Sequence, residues 1–205
     1  MGRDTINSCM IRTKLALIPY LVLLAAVLGG WLWNAGDQVA GLSGSGVANV
    51  GGPFALIDQN GAPRTDADFR DRYMLIYFGY SNCPDVCPTT LGVMADAVER
   101  LGAKASRVAP IFITVDPERD TPDILKQYLA VFSPRFIGLT GDVKNVTEVA
   151  REYRVYFIKH PIPGGSYSVD HSSSIYLMGP NGKFVTSYDE EIGPDALAAA
   201  LRKYL

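Results

Sequence analysis

Two cysteines between an apolar run and a helix-like run constrain this chain more than any other feature. Met74–Gly79 is continuously apolar, which is typical of a buried strand, and Thr89–Leu101 has apolar residues at helical spacing. Cys83 and Cys87 lie between them, so both sulfurs are predicted at a helix N-terminus. Backbone N–H groups and the helix dipole lower the pKa of a thiol there. Because a thiolate is both a nucleophile and a soft metal ligand, the pair predicts either disulfide exchange or copper binding.

The sequence that surrounds the cysteine pair predicts alternating strands and helices. The predicted strands are Phe54–Ile57, Met74–Gly79, Ala109–Val115, Phe136–Leu139, Ser174–Met178 and Phe184–Tyr188, and the predicted helices are Thr89–Leu101, Thr121–Phe132, Asp142–Tyr153 and Pro194–Tyr204. Such alternation, followed by a hairpin and a closing helix, predicts an α/β sheet that is covered on both faces. With two cysteines at the end of the first buried strand, the arrangement resembles a thioredoxin-like fold.

An uncharged segment of 19 residues, Leu15–Trp33, precedes this domain and is predicted to be a transmembrane anchor. A helix needs about 20 apolar residues to cross a bilayer. Arg12 and Lys14 lie before the segment and Asp37 follows it, so the positive-inside rule places residues 1–14 in the cytoplasm. A cleaved signal peptide is the alternative, but its apolar region is normally only about 7–15 residues long.

Residues 34–52 are rich in Gly, Ser and Ala and are predicted to be a flexible linker to a domain over 53–205. No transit peptide rich in Arg and Ser precedes the anchor. The predicted location is therefore a bacterial inner membrane, crossed once, with the C-terminal domain in the periplasm. Cys9 would lie on the cytoplasmic side and could not join the other two cysteines.

The composition excludes several other classes of protein. Three cysteines are too few for a disulfide-stapled scaffold, and a net charge of -2, with no basic cluster beyond the first fourteen residues, argues against a nucleic-acid partner. There are only two histidines, so a soft metal site has few combinations of ligands to draw on.

His171 directly precedes the predicted strand Ser174–Met178, and in thioredoxin-like proteins the loop at this place faces the cysteine pair. Two thiolates and one imidazole form a three-coordinate site that suits Cu(I) and can accept Cu(II) with one added ligand. Structural zinc sites usually take four protein ligands, and no fourth is evident. Asp170 is predicted either to orient the imidazole or to cap the turn, and His160 is predicted to lie in an exposed loop.

The spacing of the cysteines predicts how their sulfurs meet. Side chains at positions i and i+4 lie on one face of a helix, so Cys83 and Cys87 can converge on one ion. The same pair can close a disulfide with a modest backbone adjustment. Since a metal needs thiolates, the oxidised pair cannot bind copper.

Beyond these features, the chain resembles the Sco/SenC family of membrane-anchored, copper-binding, thioredoxin-like proteins. The resemblance covers about residues 52–190 in family order and rests on the runs Ile76–Tyr80, Cys83–Pro88, Val115–Thr121, Phe132–Pro134, Gly138–Gly141, Tyr153–Tyr156 and Val169–His171. It implies that Cys83, Cys87 and His171 bind copper and that the copper is delivered to the dinuclear copper centre of cytochrome c oxidase subunit II. Asp116 lies near this site or serves the start of a helix, and Lys159–Tyr167 falls in a variable family loop.

Four functions remain open for these thiols. The first is a copper metallochaperone, whose expected partners are oxidase subunit II, a periplasmic copper donor and a thioredoxin-like reductant. The second is a thiol–disulfide oxidoreductase, in which Cys83 or Cys87 attacks a disulfide of subunit II to keep its cysteines reduced for metal loading. A peroxidase ranks last, because no peroxide pocket is identifiable, and a membrane-tethered redox sensor would use the same thiols. Catalysis beyond thiol exchange is not predicted.

Overall fold

A computed structural model describes residues 50–205 of the chain. The predicted anchor over 15–33, Cys9 and most of the predicted linker lie outside the described residues. Within residues 50–205, no helix is both long enough and apolar enough to cross a membrane.

The described part contains nine strands and four α-helices. The strands are β1 Ala55–Asp58, β2 Pro63–Thr65, β3 Tyr73–Gly79, β4 Val108–Thr114, β5 Ile137–Thr140, β6 Phe157–Ile162, β7 Ser166–His171, β8 Ile175–Met178 and β9 Phe184–Tyr188. The helices are α1 Val86–Glu99, α2 Pro122–Ala130, α3 Val143–Glu152 and α4 Pro194–Arg202, with 3₁₀ turns at Asp66–Phe69 and Gly102–Arg107. Every predicted strand and helix has a counterpart in the structure.

Seven of the strands form one mixed sheet in the order β2-β1-β5-β4-β3-β8-β9. At its centre β3 pairs in parallel with β4 and antiparallel with β8. All residues of β4, and all of β3 after Tyr73, are buried, whichever face of the sheet they point to. Only a sheet that is covered on both faces buries consecutive residues in this way, as the apolar runs predicted.

Side chains cap the N-termini of two helices. Thr121 caps α2 by accepting a hydrogen bond from the N–H of Ile124, and Asp142 caps α3 by accepting one from Asn145. The predicted turn between β8 and β9 is closed by a 2.8 Å hydrogen bond from the N–H of Gly182 to the carbonyl of Gly179.

His160 is exposed, as predicted, but the predicted loop around it is wrong, because this tract is an antiparallel hairpin of β6 and β7 that forms its own small sheet. Pro161 and Pro163 argued against a strand, since proline removes a donor from the ladder. A two-stranded sheet has an open edge on each strand, where a missing N–H costs nothing. Gly164 and Gly165, both with positive φ, make the turn.

Candidate metal-binding site

The structure brings together all three predicted ligands. Cys83 follows β3, Cys87 lies in the first turn of α1, and His171 is the last residue of β7. Their sulfur and nitrogen atoms all lie within 4.8 Å of one another, and Cys87 Sγ is 3.3 Å from His171 Nε2. These separations let one small movement of side chains place a single ion between two soft sulfurs and a nitrogen, a donor set that suits copper.

The two cysteines do not share a helix face, contrary to the prediction from their spacing. Helix α1 begins at Val86, so Cys83 lies in the loop that precedes it. The ring of Pro84 disfavours helical backbone at the residue before it, which is Cys83. The sulfurs meet because the loop turns back over the first turn of the helix, and Cys83 is left half-exposed while Cys87 is buried.

The imidazole of His171 is oriented by the main chain. Its Nδ1 lies 2.9 Å from the carbonyl oxygen of Ser172, which can only accept a hydrogen bond, so Nδ1 carries the proton. The lone pair of Nε2 is therefore directed at the sulfurs, where a metal would bind. Asp170 was predicted either to orient this imidazole or to cap the turn, but its carboxylate lies 3.0 Å from Nε2 of His160 across the hairpin.

Two tyrosine rings enclose the imidazole. Tyr77 and Tyr80 each meet the ring of His171 edge-on, with centroid distances of 6.1 Å and 5.9 Å. The hydroxyl of Tyr77 also lies 3.9 Å from Cys87 Sγ and is a donor to that sulfur. Burial, followed by the nearby Cys87, raises the pKa of Tyr77, so its proton stays in place at neutral pH.

The two thiols differ sharply in acidity. A hydrogen bond from Cys87 lowers the pKa of Cys83 well below its usual range, and although burial opposes this, the backbone N–H groups of Asp85 and Cys87 lower it further. The Cys83 thiolate and burial together raise the pKa of Cys87. The predicted lowering of thiol pKa therefore applies to Cys83 alone, and backbone N–H groups contribute only part of it.

This asymmetry predicts the pH dependence of alkylation. In the reduced, metal-free chain carrying Cys9→Ser, iodoacetamide should modify Cys83 at a rate that changes less than about threefold between pH 5.5 and 7.5. An ordinary thiol, with a pKa of about 8.5, changes roughly 100-fold over that range. Mass spectrometry of the quenched reaction assigns the modified cysteine. A rate at Cys83 that climbs tenfold per pH unit, or first modification at Cys87, would contradict the assignment.

An ionic cluster around one buried carboxylate attaches the hairpin that carries His171 to the rest of the domain. The carboxylate of Asp116 is fully buried after β4, and it accepts a 2.7 Å hydrogen bond from the hydroxyl of Tyr167 on β7. Arg119 contacts the same carboxylate, donates to the carbonyl of Tyr167 and lies 3.8 Å from the centroid of its ring. Lys159 of β6 lies 3.6 Å from Asp116. Asp116 therefore holds β6 and β7 against the main sheet, which is neither of the two roles predicted for it.

An open cavity of about 400 Å³ leads to the ligands. Cys83 and His171 line it beside the ring of Tyr80, whereas Cys87 does not. Of the described residues that line this cavity, three are acidic and none is Lys or Arg; the acidic ones are Asp85, Asp170 and Glu190. A partner's side chain can therefore reach Cys83 and His171 from solvent.

Sequence reasoning missed several residues that shape this site. Tyr77 and Gly79 were predicted as strand residues and counted in the family resemblance, but with no role at the site. A hydroxyl inside an apolar run gives no sign of the sulfur it will face. A Cβ added to Gly79 would lie 2.8 Å from Cys87 Sγ, so this glycine allows the sulfur to approach the strand. Tyr167 lay in a tract predicted to be a variable loop.

Comparison with known proteins agrees with this description. The family described as SCO1/SenC matches residues 43–205. Among curated relatives, the mitochondrial SCO2 homolog of Mus musculus is 37% identical over 198 residues, which cover 90% of this chain and 78% of the mouse protein.

Solved structures of similar proteins share the fold. ScoI of Bradyrhizobium japonicum, solved with copper bound, is 46% identical with a TM-score of 0.72, over 76% of this chain and 99% of ScoI. BsSco, a member of the Sco family of cytochrome c oxidase assembly proteins in which a disulfide switch has been identified, is 29% identical with a TM-score of 0.61, over 76% of this chain and 94% of BsSco. The thioredoxin-like α/β fold and a copper-binding group of two cysteines and one histidine follow from this agreement.

Proposed function

Because this chain belongs to the SCO1/SenC family, we propose that it is a copper metallochaperone that delivers copper to the dinuclear centre of cytochrome c oxidase subunit II. The observation that carries the proposal is the convergence of Cys83, Cys87 and His171 at the end of an open cavity. Three soft ligands leave a coordination position open on Cu(I), which an incoming ligand of the partner occupies before the chaperone's own ligands leave.

The arrangement of the ligands supports transfer by stepwise exchange. Cys83 and His171 line the cavity, and Cys87 is buried behind them. A partner thiolate that enters the cavity therefore replaces the two accessible ligands first, and Cys87 is the last to release the ion. A periplasmic copper donor would load the site by the same route in reverse.

The proposal also includes a membrane anchor for the copper-binding domain. The uncharged segment over 15–33 serves as a single-pass inner-membrane anchor, with residues 1–14 in the cytoplasm and the linker over 34–52 giving the periplasmic domain reach above the membrane. This placement would keep the copper site near a membrane-bound oxidase.

A thiol–disulfide oxidoreductase is the second candidate, and the acidity of Cys83 favours it. A thiolate at neutral pH beside a buried thiol is the arrangement of an attacking and a resolving cysteine. Cys83 would attack a disulfide of subunit II to form a mixed disulfide, and Cys87 would release the partner as its dithiol. A thioredoxin-like reductant would then reduce the Cys83–Cys87 disulfide.

Titration with Cu(I) separates the two candidates. The full chain in detergent, reduced and carrying Cys9→Ser, should bind one Cu(I) tightly against a competing chelator. The same chain with Cys83→Ser and Cys87→Ser should lose at least about 100-fold in affinity, because the thiolates supply two of three ligands. The loaded chain should then pass its copper to the reduced, metal-free copper domain of subunit II. Weak copper binding together with rapid reduction of a subunit II disulfide would contradict the metallochaperone proposal and favour the thiol–disulfide oxidoreductase.

A further inference from the structure

Tyr77 lies between the proposed copper ligands and the hydrophobic core. Tyr77 is fully buried on β3, with its ring against Phe112 on one side and His171 on the other. A phenylalanine would fill this apolar position without a polar atom to satisfy. Burying a hydroxyl costs about 1–3 kcal/mol when it has no partner, so the phenol needs an acceptor. Cys87 Sγ is an acceptor within reach, 3.9 Å away, and the hydroxyl of Thr90 is the other side-chain group that interacts with the phenol.

The other tyrosines near the site do not duplicate this contact. The hydroxyl of Tyr80 accepts a hydrogen bond from the N–H of Val169, 3.4 Å away, which directs it to the hairpin. The hydroxyl of Tyr128, whose ring also packs on Phe112, is buried and has no hydrogen-bond partner within the described residues. Tyr77 is thus the tyrosine whose hydroxyl is directed at a copper ligand.

A donor at this sulfur affects the two oxidation states of copper differently. When Cys87 binds copper it loses its proton, and an anionic sulfur is a stronger acceptor than a thiol, so the Tyr77 hydrogen bond tightens. Such a bond withdraws electron density from the sulfur. Cu(II) depends more on electron donation from a thiolate than Cu(I) does, and hydrogen bonding at the cysteine sulfur is one of the ways in which proteins tune copper sites.

We propose that the hydroxyl of Tyr77 donates a hydrogen bond to Cys87 Sγ that makes this site discriminate in favour of Cu(I) over Cu(II). Tyr77 touches a copper ligand and not the ion, so it is a specificity-determining residue and not a ligand. The inference rests on copper binding at the proposed site, but it does not depend on delivery to any partner.

The test is the Tyr77→Phe variant of the full chain in detergent, reduced and carrying Cys9→Ser. Cu(I) and Cu(II) affinities are measured separately, each against a chelator specific for that ion. The ratio of Cu(I) to Cu(II) affinity should fall by roughly 3- to 10-fold, the range expected for one hydrogen bond. The charge-transfer band from sulfur to Cu(II) should move to longer wavelength, because loss of the hydrogen-bond donor raises the energy of the sulfur lone pairs.

Tyr128→Phe is the matched control, since it removes a buried hydroxyl from the same aromatic cluster without touching a sulfur. It should leave both the affinity ratio and the band where they are in the parent chain. The proposal is overturned if Tyr77→Phe changes neither, or if it weakens both ions by the same factor, which is the mark of packing alone. A parent chain that binds Cu(II) as tightly as Cu(I) would overturn it too. Loss of Cu(I) binding in the parent chain would instead refute the proposed function.

Discussion

Replacing His171 with alanine should lower the Cu(I) affinity of the chain at least about 100-fold and leave the cysteine pair able to exchange disulfides. The imidazole supplies one of three ligands, and its loss costs more than the 10- to 100-fold typical of removing a residue that only supports a ligand. The sulfurs of Cys83 and Cys87 are placed by β3 and α1, so the variant keeps them together. Competition with a Cu(I) chelator measures the first effect, and reduction of a model disulfide measures the second.

The chain supplies its own control for this variant. His160 lies on the same hairpin, and its imidazole pairs with Asp170 at the surface. His160→Ala therefore removes an imidazole of identical chemistry from the hairpin without touching the three ligands, and its Cu(I) affinity should stay within about threefold of the parent, as expected for a surface pair. If His171→Ala bound one copper with unchanged affinity, the three-ligand site would be wrong.

Gly79→Ala should lower both the free energy of unfolding and the Cu(I) affinity of the chain. A Cβ at this position would lie 2.8 Å from Cys87 Sγ and 2.9 Å from the ring of Phe112. Both neighbours are fully buried and cannot move into solvent, so we expect the free energy of unfolding to fall by about 1–3 kcal/mol, as for other overpacked cores. The displaced sulfur should also weaken Cu(I) binding by at least about tenfold, since metal ligands tolerate only small displacements.

Gly92→Ala on helix α1 is the matched substitution. No atom lies within 4 Å of the Cβ it would add, and alanine is favoured over glycine inside a helix by about 1 kcal/mol. This variant should therefore be slightly more stable than the parent and should bind copper equally well. Chemical denaturation of both variants, followed by Cu(I) competition, gives the comparison. Normal copper binding by Gly79→Ala would show that Cys87 Sγ does not need its close approach to β3.

The sequence was sufficient to predict the sheet because its signals there are strong and local. The apolar runs of β3 and β4 are typical of buried strands and of no other element. The helices that begin at Thr121 and Asp142 are capped by side chains that accept hydrogen bonds from the backbone three residues away. The three ligands were also predictable, since the chain has few soft donors. Element ends were less certain, and α1 starts three residues earlier than its apolar pattern indicated.

The parts that escaped prediction depend on contacts between residues far apart in the sequence. The β6–β7 hairpin is held by the bonds of Tyr167 to Asp116 and Arg119, which are about 50 residues away, and its own sequence contains two prolines. The orientation of His171 comes from a main-chain carbonyl, which every residue possesses and no residue type signals. Tyr77 reaches Cys87 through the packing of β3 against α1.

The hairpin has one more consequence for the copper site. Both sulfurs belong to the large sheet and its first helix, whereas the imidazole belongs to a separate two-stranded sheet. An isolated hairpin of two strands is only marginally stable. A bound ion would therefore link the two sheets, and by thermodynamic linkage it would add to the attachment that the Asp116 cluster already gives the hairpin. The same linkage runs in the other direction, so a substitution that weakens the attachment of the hairpin should also weaken metal binding.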